Sequence, residues 1–274
     1  MIRANGEMAT RTRISNLLAL KPPREGVRAE GWLRTARRGK GVLFFEISDG
    51  SSMKNLQVVI GDDMENYDDL AALGIGAAVV TSGRLVESPA KGQQVELLAE
   101  SVTVVGPADK DYPLQKKRHS FEFLRTIAHL RPRARTFTAV FRVRHALQMA
   151  VHRFFDDRGF LQVHTPIITA SDCEGAGRMF RVSSLDPSRP PYEGRHLDSP
   201  VDFFGRATPR TVSGQLEAEI FAHAFRDVYT FGPTFRAEDS NTSRHAAEFW
   251  MIEPEMAFCD LEGCARLAED FLRT

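Results

Sequence analysis

The 274-residue sequence holds three cysteines, Cys173, Cys259 and Cys264, and no C-x-x-C pair. An odd, scattered set excludes a thiolate zinc site and a disulfide framework; it suits a reducing compartment, so the expected location is cytoplasmic and no protein-held metal is expected. No apolar run reaches the length of a membrane span, so no membrane partner is expected. The N-terminus has no apolar signal core. Residues 1–7 read as a short extension or a misassigned start, with Met8 as a second start. Lys plus Arg and Asp plus Glu each total 36, so no global field draws the chain to nucleic acid, and any such contact needs a local patch. Neither G-x-G-x-x-G after a strand nor G-x-x-x-x-G-K is present, which disfavours Rossmann and P-loop nucleotide binding.

A local patch does exist. Residues 110–135 carry Lys110, Lys116, Lys117, Arg118, Arg125, Arg131, Arg133 and Arg135 against Asp111 and Glu122. A solvated linker face and a phosphate-backbone contact both fit this composition.

Before the patch, residues 27–105 read as β: VRAEGWLRT, GVLFFEISDG, LQVVIG, AAVVTSGRLVES and QVELLAESVTVVG, punctuated by Gly, Asp and Ser turns. Five strands in so short a stretch predict a small all-β barrel of the OB type, which commonly binds single-stranded nucleic acid on one face; residues 63–73 would form its helix. After the patch, Phe137, Val140, Phe141, Leu147, Val151, Phe154 and Phe155 follow helical spacing, and Asp157-Arg158-Gly159 ends that helix. FLQVHTPIIT (160–169) then reads as a strand with Pro166 near an edge or bend. Residues 188–200 contain three prolines and no period, a surface loop, and 215–225 return to a helix through Leu216, Ile220, Phe221 and Ala224.

Two later stretches put charge where a buried strand would be apolar. In TFGPTFRAE (230–238), Arg236 and Glu238 share one face while Phe231, Pro233 and Phe235 take the other. In HAAEFWMIEPEMAF (245–258), Trp250, Ile252, Pro254 and Met256 oppose Phe249, Met251, Glu253 and Glu255. With the polar run DSNTSR (239–244) between them, the pair predicts an antiparallel hairpin, one face on a core and the other offering a cation, a ring and carboxylates. Buried charge costs several kcal/mol unless it is paired or solvated, so such a face calls for a ligand with phosphate and amine groups.

The order FRAE, then H-x-x-x-F, then E-x-E resembles motif 2 of the class II aminoacyl-tRNA synthetases. Together with SGQLEAEIF (213–221), TFGPTFRAE and EFWMIEPEMAF it is similar to the asparaginyl members of the aspartyl/asparaginyl subgroup, in family order from about Val27 to the end. Helix, Gly and Pro-bearing strand resemble motif 1, the dimer interface of that class, which places Pro166 there and implies a homodimer. The implied architecture is an OB-fold barrel followed by an α+β synthetase core, an antiparallel sheet flanked by helices: a lead-in (1–26), an anticodon-binding domain (27–106), a basic hinge (107–136) and a partial catalytic domain (137–274).

The resemblance implies ATP, Mg2+ bridging its phosphates, L-asparagine and tRNA(Asn) as reactants. It gives Arg236 to the α-phosphate as the catalytic residue, His245 to the γ-phosphate, Phe249 to adenine stacking and Glu238 to the nucleotide. A guanidinium fork suits phosphate better than lysine does; a salt bridge to Glu238 or Glu253 is the plain alternative for Arg236. Glu174, Ser213, Gln215 and Glu253 would bind the amino acid. Aspartyl relatives carry a lysine three residues after the glutamine; here that position is Ala218, which favours a neutral side chain. Glu217 and Glu219 read as an exposed helix face. In the barrel, Arg37, Phe44 and Gln57 match the anticodon-binding positions, with Phe45 as the core-facing neighbour of Phe44.

Two departures stand out. The family carries asparagine more commonly where this chain has Asp239. The family also continues beyond the point matched by Thr274, through more sheet, metal-binding acids and a Gly-rich motif 3. The expectation is the front part of a longer synthetase or a truncated, inactive form. A non-catalytic tRNA-binding module and an aspartyl or dual-specificity synthetase remain open as alternatives.

Overall fold

A computed structural model describes residues 12–109, 111–173, 175, 178–186, 188, 202–239, 242 and 244–274. The chain divides into two compact units, Met1–His145 and Ala146–Thr274.

In the first unit a short helix α1 (Ile14–Leu17) precedes β1 (Arg24–Arg38), β2 (Val42–Ser48), β3 (Leu56–Gly61), α2 (Tyr67–Ala71), β4 (Ala78–Glu87) and β5 (Val95–Gly106). The strands close in the order β1-β2-β3-β5-β4, with β4 back against β1. Alternation sets the inside: Leu43, Phe45 and Ile47 of β2 and Leu56, Val58 and Ile60 of β3 are buried, while the residues between them face outward. Each such side chain contributes roughly 1.5–3 kcal/mol by leaving water. Ile14, Leu17 and Leu70 join the same core. The helix expected over 63–73 is shorter, because Met64 N bonds Gly61 O (3.3 Å) and Tyr67 N bonds Met64 O (2.9 Å), turns that delay the helix to Tyr67.

Beyond the barrel, α3 (Phe121–Thr126) is capped by Ser120, whose Oγ accepts from Phe123 N at 3.2 Å. The 22-residue α4 (Arg135–Asp156) runs through the division between the units. Its expected apolar face is buried only at Val151, Phe154 and Phe155; Val140, Phe141 and Leu147 are exposed.

The second unit carries β6 (Leu161–Gln162), α5 (Gln215–Phe225), β7 (Asp227–Phe235), β8 (Glu248–Met256) and α6 (Leu261–Arg273). The expected hairpin is present: β7 and β8 pair antiparallel from Asp227↔Met256 to Phe235↔Glu248. The expectation of an antiparallel sheet needs correction at its edge, since β6 pairs parallel with β7. The strand expected over 160–169 is also short. Val163 N still bonds Tyr229 O at 3.0 Å, but Pro166, which is exposed, has no N–H to extend a ladder.

Helix α5 turns a different face inward from the one its large residues mark. Ala218 and Ala222 pack with Val163 and Val228, while Leu216, Ile220 and Phe221 are exposed. Tyr229 stacks on Phe155 (4.4 Å between centroids) in a cluster with Val151 and Phe154, against which Phe231, Ile252, Leu267 and Phe271 pack. Asp260 caps α6 by accepting from Gly263 N at 2.8 Å. Among the described residues no helix is long and apolar enough to cross a membrane.

Candidate functional site

Register places the candidate site on one face of the hairpin. Thr230 lies opposite Glu253 and Thr234 opposite Phe249, so Thr230, Thr234, Phe249, Met251 and Glu253 share the side turned away from the Tyr229 and Phe231 rings. Glu253 is the hub. Its carboxylate accepts from Ser213 Oγ in a short bond, from Gly214 N (3.2 Å to each oxygen) and from Thr230 Oγ1 (2.8 Å). It ties β7, β8 and the turn entering α5 into one unit. Glycine suits that turn: a Cβ on Gly214 would lie 2.6 Å from Thr165 Oγ1 and force that side chain to shift. His164, Thr165, Thr211, Gly214, Thr230 and Glu253 help line a small cavity there, together with apolar Val163, Ile167 and Phe231.

Gln215 is held at both ends of its amide. Nε2 donates to Glu219 Oε1 at 3.0 Å and Oε1 accepts from Cys173 Sγ at 3.7 Å. Glu217 accepts from Thr169 Oγ1 at 3.0 Å and is half-buried. The plain exposed helix face expected for Glu217 and Glu219 is thus corrected: Glu219 is exposed but engaged, and Glu217 is drawn inward by a hydroxyl. Beside them, burial first and then the carboxylates of Glu219 and Glu253 push Glu255 up to about 7.

Arg236 follows β7 directly, with its guanidinium carbon 5.6 Å from the Phe249 ring centroid. Its Nε is buried and has no hydrogen-bond partner among the described residues. An unsatisfied buried donor costs about 1–3 kcal/mol, so it is suited to an incoming anion. Glu238 is exposed. His245 is exposed with Nδ1 in a short bond to Thr242 Oγ1. Residues 240, 241 and 243 of the expected loop, and Glu174 of the expected amino-acid pocket, lie outside the described residues.

On the barrel, Arg37, Phe44 and Gln57 lie on the outer surface of adjacent strands: Arg37 pairs with Phe44 across β1 and β2, and Gln57 with Glu46 across β2 and β3. Phe45 is fully buried and Phe44 half-buried on the outside. The Arg37 guanidinium carbon covers the Phe44 ring at 4.8 Å. In the hinge, Arg133 donates to Tyr112 OH at 3.2 Å and lies over Trp32 at 5.5 Å, and Arg131 lies over Phe137 at 5.1 Å. Lys116, Lys117, Arg118, Arg125 and Arg135 stay exposed, while Lys110 lies outside the described residues.

Sequence reading did not single out Thr230 or Glu255 as site residues. Thr230 is polar inside an aromatic strand, and only the hairpin register brings it to Glu253. Glu255 is the next residue on the Glu253 face, and the alternation already pointed to it.

The family described as tRNA synthetases class II (D, K and N) matches residues 120–274, and an OB-fold nucleic acid binding domain matches residues 27–105. The asparagine–tRNA ligase of Geotalea uraniireducens is 63% identical over 97% of this chain and 58% of its own length; that of Geobacter sulfurreducens is 62% identical over the same shares. The chain therefore spans less than two thirds of these curated relatives. Among solved structures, asparaginyl-tRNA synthetase from Pyrococcus horikoshii complexed with asparaginyl-adenylate superposes with a TM-score of 0.81 at 24% identity, covering 97% of this chain and 57% of that one, a likeness of fold. With more than half of its residues matched by the family's sequence pattern, the chain belongs to the class II tRNA synthetases (D, K and N).

Proposed function

We propose that this chain provides the anticodon-binding barrel (27–106), hinge (107–136) and leading part of the catalytic domain (137–274) of an asparagine–tRNA ligase. The reaction joins L-asparagine and ATP into asparaginyl-adenylate with release of pyrophosphate, then passes the asparaginyl group to the 3′ end of tRNA(Asn) with release of AMP. The observation that carries this reading is the shared hairpin face, where the Ser213–Gly214–Glu253 hub and Phe249 stand beside the unsatisfied Arg236 Nε.

The carboxylate of asparagine attacks the α-phosphate in line, so the protein supplies no nucleophile; it orients two reactants and offsets developing charge. Arg236 takes the α-phosphate, Phe249 the adenine ring, His245 the γ-phosphate and Glu238 the nucleotide side. Ser213, Gln215, Glu253 and Glu174 take the amino acid. Glu253 already accepts three protein donors, so a substrate ammonium competes for it with Ser213 Oγ, whose hydroxyl can rotate away. Ala218, fully buried, offers no cation to an aspartate side chain, which favours neutral asparagine. Among the described residues no group of three or more His, Cys, Asp or Glu side chains is placed to hold a metal. Mg2+ would enter with ATP, neutralising charge on its phosphates. A homodimer through the segment carrying Pro166 and a cytoplasmic location belong to the same reading.

ATP–pyrophosphate exchange by the full-length protein tests it. Exchange is expected with asparagine and is expected to be at least about 100-fold slower with aspartate. Comparable rates would move the assignment to an aspartyl or dual-specificity enzyme. Anticodon-loop binding without any exchange would leave a tRNA-binding module.

A further inference from the structure

Two of the three cysteines meet at the start of α6. Cys259 and Cys264 are both exposed. Phe258, fully exposed, has a φ of 59°, a left-handed value that a bulky side chain rarely takes, and it turns the chain from β8 towards the helix. Cys259 is thereby laid back along the first turn of α6. Its Sγ donates to Asp260 O at 3.5 Å, and the same oxygen accepts from Cys264 N at 3.0 Å. The thiol also fills the space beside Gly263, where a Cβ would lie 2.6 Å from Cys259 Sγ. Cys264 is the next residue, and a helical side chain leans toward the N-terminus of its helix, so Cys264 leans over the turn that Cys259 covers.

Two adjoining thiols can hold a metal or exchange electrons. A metal needs further ligands, and among the described residues no group of three or more His, Cys, Asp or Glu side chains is placed to hold one. A permanent cross-link does not suit a reducing compartment, whereas a transient disulfide between accessible thiols is the usual form of redox sensing there. Cys173 provides the contrast within one chain, because it is buried.

We infer that Cys259 and Cys264 form a redox modification site that takes a hydroperoxide and closes to a reversible disulfide across the first turn of α6. With hydrogen peroxide, the sulfur of one thiol attacks a peroxide oxygen, the O–O bond breaks, and a sulfenic acid and a water result. The sulfur of the second thiol then attacks the sulfenic sulfur and expels its hydroxyl, which leaves as water with that thiol's proton. Two thiols and one peroxide thus become one disulfide and two waters; the sulfur pair gives up two electrons and the O–O bond takes them. A dithiol reductant reverses the change. Leu267 and Phe271 of α6 pack on the Tyr229 cluster, so the modification falls on the helix that backs the hairpin.

The test treats the full-length protein, fully reduced, with one equivalent of hydrogen peroxide, then alkylates it with N-ethylmaleimide under denaturing conditions and maps tryptic peptides by mass. Cleavage after Arg244 and Arg266 puts both thiols in one peptide, residues 245–266. That peptide is expected to lose two hydrogens and to take up no N-ethylmaleimide until dithiothreitol is added, while Cys173 stays reduced and is alkylated. Cys259→Ser and Cys264→Ser each abolish the internal bond, and dimedone traps the surviving thiol as a sulfenic acid. The first readout needs no substitution, so a variant that fails to fold does not obscure it. Oxidation of the two cysteines to sulfinic acid without a disulfide overturns the site. So does a bond from either to a second copy or to a cysteine outside residues 245–266, or a peptide left unoxidised at one equivalent.

Discussion

Arg236 and Phe249 face each other at the mouth of the hairpin, the guanidinium carbon 5.6 Å from the ring centroid and Nε buried without a hydrogen-bond partner among the described residues. A cation over a ring gains about 0.5–2 kcal/mol and keeps its remaining donors aimed outward. Arg236→Lys retains the charge and loses the fork, so pyrophosphate exchange by the full-length protein should fall by about two orders of magnitude. Phe249→Ala removes a stacking face worth ~1–3 kcal/mol, and ATP binding measured by calorimetry should weaken roughly 10- to 100-fold. Unchanged exchange in Arg236→Lys would assign the arginine to structure alone.

Phe44 and Phe45 are adjacent and should behave as opposites. Phe45→Ala empties part of the barrel core and should cost about 3–5 kcal/mol of that unit's stability in urea. Phe44→Ala should cost less than about 1 kcal/mol while reducing stem-loop affinity. Equal destabilisation by both changes would contradict the alternation of β2.

Removal of Glu253 leaves Ser213 Oγ, Gly214 N and Thr230 Oγ1 without their acceptor. Glu253→Ala should destabilise the second unit by roughly 2–3 kcal/mol, visible as a lower urea midpoint. Glu253→Gln keeps one acceptor oxygen and should cost about half as much. If Thr230→Val and Glu253→Ala prove additive, the two side chains are not coupled through this bond.

Glu255 predicts a pH dependence. Its ordinary carboxyl value is 4.5, and in the folded protein it is pushed up to about 7 by burial, with Glu219 and Glu253 adding to the effect. The folded state therefore holds this proton more tightly than the unfolded chain. The group adds no penalty below about 4.5, lowers stability progressively as pH rises towards 7, and exerts its full penalty above that. Glu255→Gln should flatten this part of the Tm profile and raise Tm at pH 8. Glu219→Gln should lower the Glu255 midpoint observed by carboxyl NMR; a midpoint near 4.5 in the unaltered protein would contradict the crowded environment.

The barrel was legible in the sequence because its strands alternate strictly, so Leu43, Phe45 and Ile47 declare their side without tertiary help. The hairpin was legible for the same reason. Helix α5 was not: its large residues mark the exposed side, and the inward side is the one where Ala218 and Ala222 meet Val163 and Val228. The Glu253 hub, and the hydrogen bonds that Glu96 of β5 accepts from Gln57 of β3 and from Ser88, were hidden more deeply. The first needs the exact register of β7 on β8; the second needs the parallel pairing of β3 with β5, which skips the strand between them in sequence.

That skipped strand also governs the order of events during synthesis. β4 leaves the growing chain before β5 but finds only β1 to pair with, while β3 waits with one edge open. The barrel cannot shut until residues 95–98 emerge from the ribosome and slot between β3 and β4. A nascent chain stalled before that point displays two adhesive edges at once, and the window between β4 and β5 is when a chaperone has most to protect.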